Sequence, residues 1–485
     1  MHKIDLKAAA RQEMLNHGFQ PDFPDDVKEQ LERLRSNPPD VKAKDGTRDL
    51  RNLLWSSIDN DTSRDLDQIE VAERLPNGAT RILIGIADVD VYASKGSAID
   101  RHANEEGTTV YTGVENFSMI PEELSTGLTS LLQDVDRLCV VNDFVVDGNA
   151  SIVSGIAYRA LVRNHAQLTY SSVGPWLEGK ADPPSKVAQS NELHDQLKLQ
   201  DEVAQRLRAA RHRMGALDID SIETSPVFSD GQIAGIKVAQ KNRASQLIED
   251  FMIAGNGVIA RMLSSMNFSS IRRVVKKPER WDRIVELARG LGESLPPEPD
   301  SAALNAFLER RRSIDPVHSV DLSTAVVKLM GPGEYAVERP GGPGQGHFGL
   351  AVHDYTHSTA PNRRYADLVT QRLVKAALAS QHSPYTDDEL DAIARNCTLK
   401  EDAARKVERN MRKRIAAVAL GDRIGATFRA VVTGVTPKGT FVRTLDPPAD
   451  GLVVRGQEGL DVGEQIRVRL VATDPHRGYI DFVRL

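Results

Sequence analysis

Four aspartates crowd into the run Ser57 to Glu70 (SIDNDTSRDLDQIE): Asp59, Asp61, Asp65 and Asp67 fall within nine positions. Like charges held this close raise the energy of the ionised forms unless a cation or a basic partner offsets them, so the run asks for a metal. Its candidate ligands are all oxygen, with neither His nor Cys among them, which favours Mg²⁺ or Mn²⁺ over zinc and points to phosphate chemistry. An acidic surface loop accounts for the same D-x5-D-x-D spacing equally well. A calcium loop fits less, because Arg64 would stand where the template needs its central Gly if Asp59 opened it.

The second chemical signal is His347 to Arg372 (HFGLAVHDYTHSTAPNRRYADLVTQR). Ser358, Thr359 and Pro361 predict a helix N-terminus that bears Arg363 and Arg364, with Asp367 one turn on. Cations are unfavourable at that end of a helix, so two guanidinium forks beside free helix-start amides suit a phosphodiester, although surface arginines are common. His353-Asp354 lacks the further ligands that an HD-type phosphohydrolase needs. A third run, Asn242 to Leu263, predicts a buried helix that nonetheless carries a polar stripe of Asn242, Gln246, Glu249 and Asn256, which must meet partners or a cleft. Tyr111 and Tyr170 stand in segments of mixed polarity, where a lone Tyr is ordinarily a half-buried core residue.

The elements that must position these groups are legible in outline. Residues 5–17 and 25–36 read as short amphipathic helices, ended by Asn37-Pro38-Pro39, forming either a helix-turn-helix or a docking arm. From Asp49 short β-type runs follow, such as Arg81 to Val89 and Leu138 to Val146, and from Asp201 helices dominate, which makes the body α+β. Gly331 to Gly349 reads as an irregular loop. After a basic helix near Arg405 to Arg414, five short strands (Thr427 to Val435, Thr440 to Thr444, Gly451 to Arg455, Gln465 to Ala472, Tyr479 to Val483) suit a small closed barrel of OB type. The expected division is a helical region 1–45, a catalytic body 46–420 and a barrel 421–485.

Composition bounds the rest. The 485 residues, 40% apolar and 27% charged, describe a folded, soluble protein, and a net charge of −6 leaves any nucleic-acid site to a local basic surface. Cys139 and Cys397 sit alone, as in a reducing cytosol, and no run approaches the ~18 apolar residues of a membrane span. The expectation is a cytoplasmic monomer with no membrane contact.

TRDLRNLLWSSIDNDTSRDLDQ resembles the signature opening of the ribonuclease II / ribonuclease R (RNB) family, and the arginine block resembles that family's H-F-G-L-A…R-R-Y-A-D-L motif. The resemblance implies that Asp59, Asp65 and Asp67 bind magnesium and serve catalysis. Gln68 stands where the family has a fourth Asp; its amide oxygen still offers a ligand but one negative charge is gone. Asp61 falls at a position the family does not use. Arg363 and Arg364 would grip the phosphates nearest the scissile bond, Arg363 stabilising transition-state charge. By the same resemblance Glu249 would touch the nucleotide near the 3′ end, Tyr111 and Tyr170 would contact bases, and Ile219 in Gly215 to Asp220 (GALDID) replaces a clamping Phe. The barrel resembles an S1-type RNA-binding domain, with Phe428 and Phe441 as stacking candidates and Arg443, Arg467 and Arg469 as phosphate contacts. The paired cold-shock domains that usually open the family have no room in 45 residues.

The resemblance thus implies a processive, hydrolytic 3′→5′ exoribonuclease that is Mg²⁺-dependent, with Mn²⁺ as the alternative ion. It would act on single-stranded 3′ ends of RNA and release nucleoside 5′-monophosphates. The rival is an RNB-fold RNA-binding regulator unable to cut, for which Gln68 is the best support.

Overall fold

The computed structural model describes residues 4–42, 46–219, 223–229, 232–239, 241–316 and 318–485. Its centre is a six-stranded sheet in the order Thr47–Asp49, Ile152–Thr169, Trp55–Asp59, Gln68–Arg74, Thr80–Ala87, Asp136–Val146. The long strand Ile152–Thr169 pairs antiparallel with Asp136–Val146 over its first two-thirds. It then runs parallel to Trp55–Asp59, from Asn164 beside Trp55 to Thr169 beside Asp59, so it joins the two ends of the row.

Both faces of this sheet are covered, which is why Ile82 to Ala87 is an unbroken apolar run rather than an alternating one. One face sends Trp55, Ile69, Val71 and Leu83 into a core shared with Leu368, Val369 and Leu373 of the helix Tyr365–Leu378, here called the arginine helix. The other sends Ile58, Ala72, Ile82, Ile84 and Ile86 against Leu247, Ile248 and Phe251 of the buried helix Arg243–Ser265. Asn242 caps the buried helix by accepting from the Ser245 amide, and Gly255 lets it come close to the sheet, because a Cβ there would lie 3.2 Å from Asn142 Nδ2 and 3.3 Å from Ile84 Cδ1.

A 34-residue helix, Asp387–Leu420, carries the chain from this body to the barrel. The five barrel strands are Thr427–Thr436, Gly439–Thr444, Asp450–Arg455, Gln465–Asp474 and Tyr479–Arg484, closed by pairing of the first with Gln465–Asp474. Phe428 is only 4% exposed and packs edge-on to Phe482 inside the barrel, which removes it as a base-stacking candidate. Phe441 stays 38% exposed. Arg443 pairs with Asp321 at 2.9 Å, an ion pair that ties the barrel to the helix Ser319–Met330 and occupies this guanidinium within the protein. The segment 331–349 is not wholly irregular: Glu334–Glu338 forms a strand antiparallel to Ser270–Val274, since Tyr335 reaches the core and its amide finds the Thr398 hydroxyl.

The first helices, Leu6–Asn16 and Asp25–Ser36, act as docking struts on the body. Ala10, Met14 and Phe19 pack with Val407 and Met411 of the long helix, while Glu13 accepts from Arg414 at 2.6 Å and Asn410 at 3.1 Å. The second helix sends Val27 into the main core and accepts from the Ile99 amide through Gln30. Among the described residues no helix is long and apolar enough to cross a membrane. Replacing the fully buried Met14 by Ala leaves a cavity under the first strut and is expected to cost ~2–5 kcal/mol locally. Limited proteolysis should then cut within residues 4–42 several-fold faster while the body stays intact.

Candidate active site

Where the strand Trp55–Asp59 ends and Gln68–Arg74 begins, the connecting turn gathers the carboxylates at one mouth of the sheet. Asp59 accepts from the Asn60 amide at 2.7 Å and the Ser63 hydroxyl at 2.9 Å, which fixes the turn. Burial pushes its carboxyl above the ordinary range, against those hydrogen bonds and the pull of Arg363. Asp65 accepts from the Tyr111 hydroxyl at 3.0 Å. Tyr111 sits in a two-residue-per-strand hairpin whose own amide donates to Glu408 on the long helix at 3.1 Å, so the hairpin bridges the carboxylate turn and the basic helix.

Asp67 is the deepest of the three, 2% exposed. Its Oδ1 accepts from the Asn362 amide at 3.0 Å, and its Oδ2 lies 3.4 Å from Arg363 Nε. Burial raises its carboxyl to about 7, Arg363 pulling the other way and Asp65 reinforcing the rise. The Arg363 backbone is itself held: its carbonyl accepts from the Thr109 amide at 2.9 Å and the Thr108 hydroxyl at 3.1 Å. Its side chain stays 45% exposed and free to meet a ligand.

The arginine helix begins at Tyr365, later than its sequence suggests, so Arg363 precedes it and Arg364 is its extended N-cap residue. The cause is Asp367. Its fully buried carboxylate takes the Arg364 fork at 2.7 and 2.8 Å and the Ala360 amide at 2.9 Å, which holds the chain out of helical geometry up to Arg364. Arg364 therefore faces inward onto Asp367, and Arg363 alone of the pair is directed at the mouth.

Tyr170 opens the helix Tyr170–Leu177, and its carbonyl accepts from Asn242 Nδ2 at 2.8 Å, which joins it to the buried helix. Its hydroxyl is pushed up by burial and by the negative charges of Asp59 and Glu70, with Arg363 opposing and Glu249 adding to the rise, so it stands among the site's charges. Glu249 is part-exposed and 3.3 Å from Lys241. Its neighbour Asp250 points into the core toward Arg211, and burial lifts it to about 7. The polar stripe thus divides: Asn242 and Asn256 are structural, Asn256 Oδ1 accepting from the Ser358 amide at 2.9 Å and its hydroxyl at 2.8 Å, while Glu249 faces outward.

Asp61 is exposed and takes the Ser171 hydroxyl, outside the carboxylate group. Ile219 is half-buried, and Asp220, which ends GALDID, lies outside the described residues. Arg467 and Arg469 are exposed on the barrel. On the basic helix Arg405 pairs with Glu401 and Arg414 with Glu13, while Lys406, Arg409, Arg412 and Lys413 are exposed.

Sequence reasoning missed one holder and one acid. The Asn362 amide fixes Asp67, and the Asn362 side chain accepts from Thr129 at 2.6 Å. A backbone contact to residue 362 leaves no trace in side-chain type. Glu70, in contrast, left a signal: it is the one charge in the apolar stretch Ile69-Glu70-Val71-Ala72, and it is 0% exposed.

Among the described residues no three Asp, Glu, His or Cys side chains converge to coordinating distance. Asp59 is turned to its own loop, Asp65 to Tyr111 and Asp67 to Asn362. The donor set still fits a hard divalent cation, being wholly oxygen and electrostatically coupled.

A sheet covered by helices, with a carboxylate turn facing an arginine and an OB barrel on a long connecting helix, defines a two-module nucleic-acid-type architecture. The RNB domain matches residues 47–380, and the RNase II-type exonuclease C-terminal S1 domain matches residues 426–485. The chain belongs to the RNB family. Ribonuclease R of Escherichia coli K12 is 32% identical over 454 residues, which cover 89% of this chain and 54% of that protein. Ribonuclease R of Vibrio parahaemolyticus is 30% identical over 461 residues, 90% of this chain and 53% of the relative. The chain thus spans about half the length of the curated relatives it matches. Among solved structures, the apo form of Mycoplasma genitalium RNase R superposes with a TM-score of 0.88 at 23% identity, covering 99% of this chain and 78% of that one. This likeness establishes the fold. RNB nucleases as a class are metal-dependent.

The raised Asp67 carboxyl carries a pH consequence. A folded-state pKa above the unfolded one means that stability is fullest below the unfolded value, about 4, and is lost as pH rises through about 7. Metal-free Asp67→Asn is therefore expected to melt several degrees higher than wild type at pH 8 and to show no gain near pH 4, as read by thermal denaturation in EDTA.

Proposed function

We propose that the chain is a processive, hydrolytic 3′→5′ exoribonuclease that takes single-stranded RNA and releases nucleoside 5′-monophosphates. The observation that carries this reading is the junction of two motifs 295 residues apart, where the Asn362 amide and the Arg363 guanidinium both meet the buried Asp67 carboxylate. An exposed arginine beside a sequestered acid is a place for a phosphodiester next to a cation. Ribonuclease R relatives along nine-tenths of the chain support the same substrate. So does the shared fold with an RNase R solved in complex with ribose-methylated single-stranded RNA.

Asp59, Asp65 and Asp67, with the Gln68 amide oxygen, would hold Mg²⁺ or Mn²⁺, which when bound activates a water and stabilises the leaving 3′-oxygen. The chain's own residues do the rest. Asn362 and Tyr111 orient Asp67 and Asp65. Arg363 neutralises charge that grows on the non-bridging oxygens, and Arg364 acts as a positioning residue by locking the helix start through Asp367. Tyr170 and Glu249 would sense the 2′-hydroxyl, Tyr111 would contact a base, and Phe441 would stack a base on the barrel. We assign a helical region to 1–45, the catalytic body to 46–420 and the RNA-binding barrel to 421–485, in a cytoplasmic monomer.

The second reading, an RNA-binding protein that does not cut, is favoured by Gln68 and by carboxylates that face apart. One digestion of a 3′-labelled and of a 5′-labelled tailed RNA with Mg²⁺ or Mn²⁺ separates the two. Monophosphates released stepwise from the 3′ end are expected. RNA left intact yet shifted on a gel establishes the binder, and nucleoside diphosphates overturn hydrolysis.

Arg363→Ala is expected to cut single-turnover rate by about 10²-fold or more while RNA affinity falls much less, because the charge it meets grows in the transition state. Equal losses in rate and affinity would reduce it to a simple grip.

A further inference from the structure

The hairpin that carries Tyr111 pairs Val110–Tyr111 with Asn116–Phe117 and lies along the long helix. Val110 and Phe117 pack into one cluster with Ala404, Val407 and Met411. At the hairpin's turn Gly113 takes φ +83°, and a Cβ there would meet Ile415 Cδ1 at 3.0 Å, so the turn too rests on the helix. Ala404, Met411 and Ile415 are spaced to share one helical face, and Glu408 falls on that face between them.

Glu408 is the one acid in the run Arg405 to Arg414, which holds six cations. Arg405 pairs instead with Glu401 and Arg414 with Glu13, and among the described residues no cation lies at ion-pair distance from Glu408. Its Oε1 accepts from the Tyr111 amide at 3.1 Å. A carboxylate among guanidinium groups would ordinarily take the stronger, charge-assisted pair with one of them. Tyr111 reaches the opposite way with its hydroxyl, which donates to Asp65 Oδ2 at 3.0 Å. A strand of two residues has few ladder bonds to fix its direction, so the bond at the amide and the bond at the hydroxyl together aim the phenol. The long helix also enters the barrel core through Ala416, Ala417 and Leu420. One rod therefore carries both the barrel and the group that holds Tyr111.

We propose that Glu408 is a positioning residue of the active site: by holding the Tyr111 amide it sets the phenol that orients Asp65, and so ties the carboxylate geometry to the long helix. This assignment rests on the metal-assisted reading above, and the test separates the two.

Single-turnover cleavage of a short single-stranded RNA, and Mn²⁺ affinity without RNA by electron paramagnetic resonance of free Mn²⁺, are measured on the full chain. The proteins are wild type, Glu408→Ala, Glu408→Gln, Tyr111→Phe and Tyr111→Phe/Glu408→Ala. Glu408→Ala is expected to slow cleavage and weaken Mn²⁺ binding about tenfold each, as loss of a group that orients a metal ligand does. Tyr111→Phe, which removes only the hydroxyl, should lose a comparable amount. Glu408→Gln keeps an acceptor oxygen for the amide and should stay within about threefold of wild type. The double variant should fall within about twofold of Tyr111→Phe alone, because both changes act through the one bond to Asp65. Losses that multiply in the double variant overturn the assignment, as do wild-type Mn²⁺ affinity in Glu408→Ala or Tyr111→Phe, and a Glu408→Gln as impaired as Glu408→Ala. Each of these leaves metal-assisted cleavage standing, whereas wild type that neither binds Mn²⁺ nor cleaves overturns both. If Glu408→Ala does not fold, Glu408→Leu, which keeps the packing, decides by the same criteria.

Discussion

A carboxyl group buried almost completely, with one backbone amide and one arginine for company, is the constraint around which this molecule is arranged. Asp67 can sit at 2% exposure only because Asn362 and Arg363 arrive at the same point from the far end of the sequence. Neither partner satisfies it fully, and its carboxyl stays lifted to about 7. Unrelieved electrostatic cost of this kind is concentrated where a protein binds cations or does chemistry, and is met by stability elsewhere in the fold.

That stability is visible on both sides of the sheet. The arginine helix is locked from behind by a buried polar network: Lys375 reaches Asp88 and Asp90 at 2.8 and 2.9 Å, and Arg372 reaches Asp90 and Asp100, both at 2.7 Å. Charges of both signs in one enclosed network hold the helix in a single place, and with it the preceding Asn362 and Arg363. On the opposite face the buried helix is fixed by Asn242 to the Tyr170 carbonyl and by Asn256 to Ser358. The tyrosine, the outward-facing Glu249 and the arginine segment thereby become parts of one rigid wall. Tyr111 closes the third side, hydrogen-bonded to Asp65 in front and Glu408 behind.

The long helix transmits this arrangement outward. It holds the first strut through Glu13 and the Tyr111 hairpin through Glu408, and it ends against the barrel. Its exposed Lys406, Arg409, Arg412 and Lys413 concentrate positive charge along one stretch of this helix in a chain whose net charge is −6. Local placement of charge, rather than its total, thus governs where a polyanion is attracted.

The sequence by itself determined the elements and the chemistry of the parts. Short-range pattern suffices for these: the amphipathic starts of the first two helices, the five barrel strands, the all-oxygen carboxylate run and the arginine pair appear nearly where periodicity and turn residues put them. What it left undecided depends on contacts between distant segments. Phe428 and Phe441 both lie on barrel strands, and only closure of the barrel sends one inside and the other out. Arg363 and Arg364 are identical in type and adjacent, and only the buried Asp367 turns one inward and leaves the other at the mouth. The backbone amide that fixes Asp67 is invisible in any side-chain pattern. Glu70 reads as a stray charge in an apolar strand until the helix above it seals the core and leaves its oxygens without partners. Residue type fixes what a group can do, but burial and partner, which set its charge and direction, are properties of the packed chain.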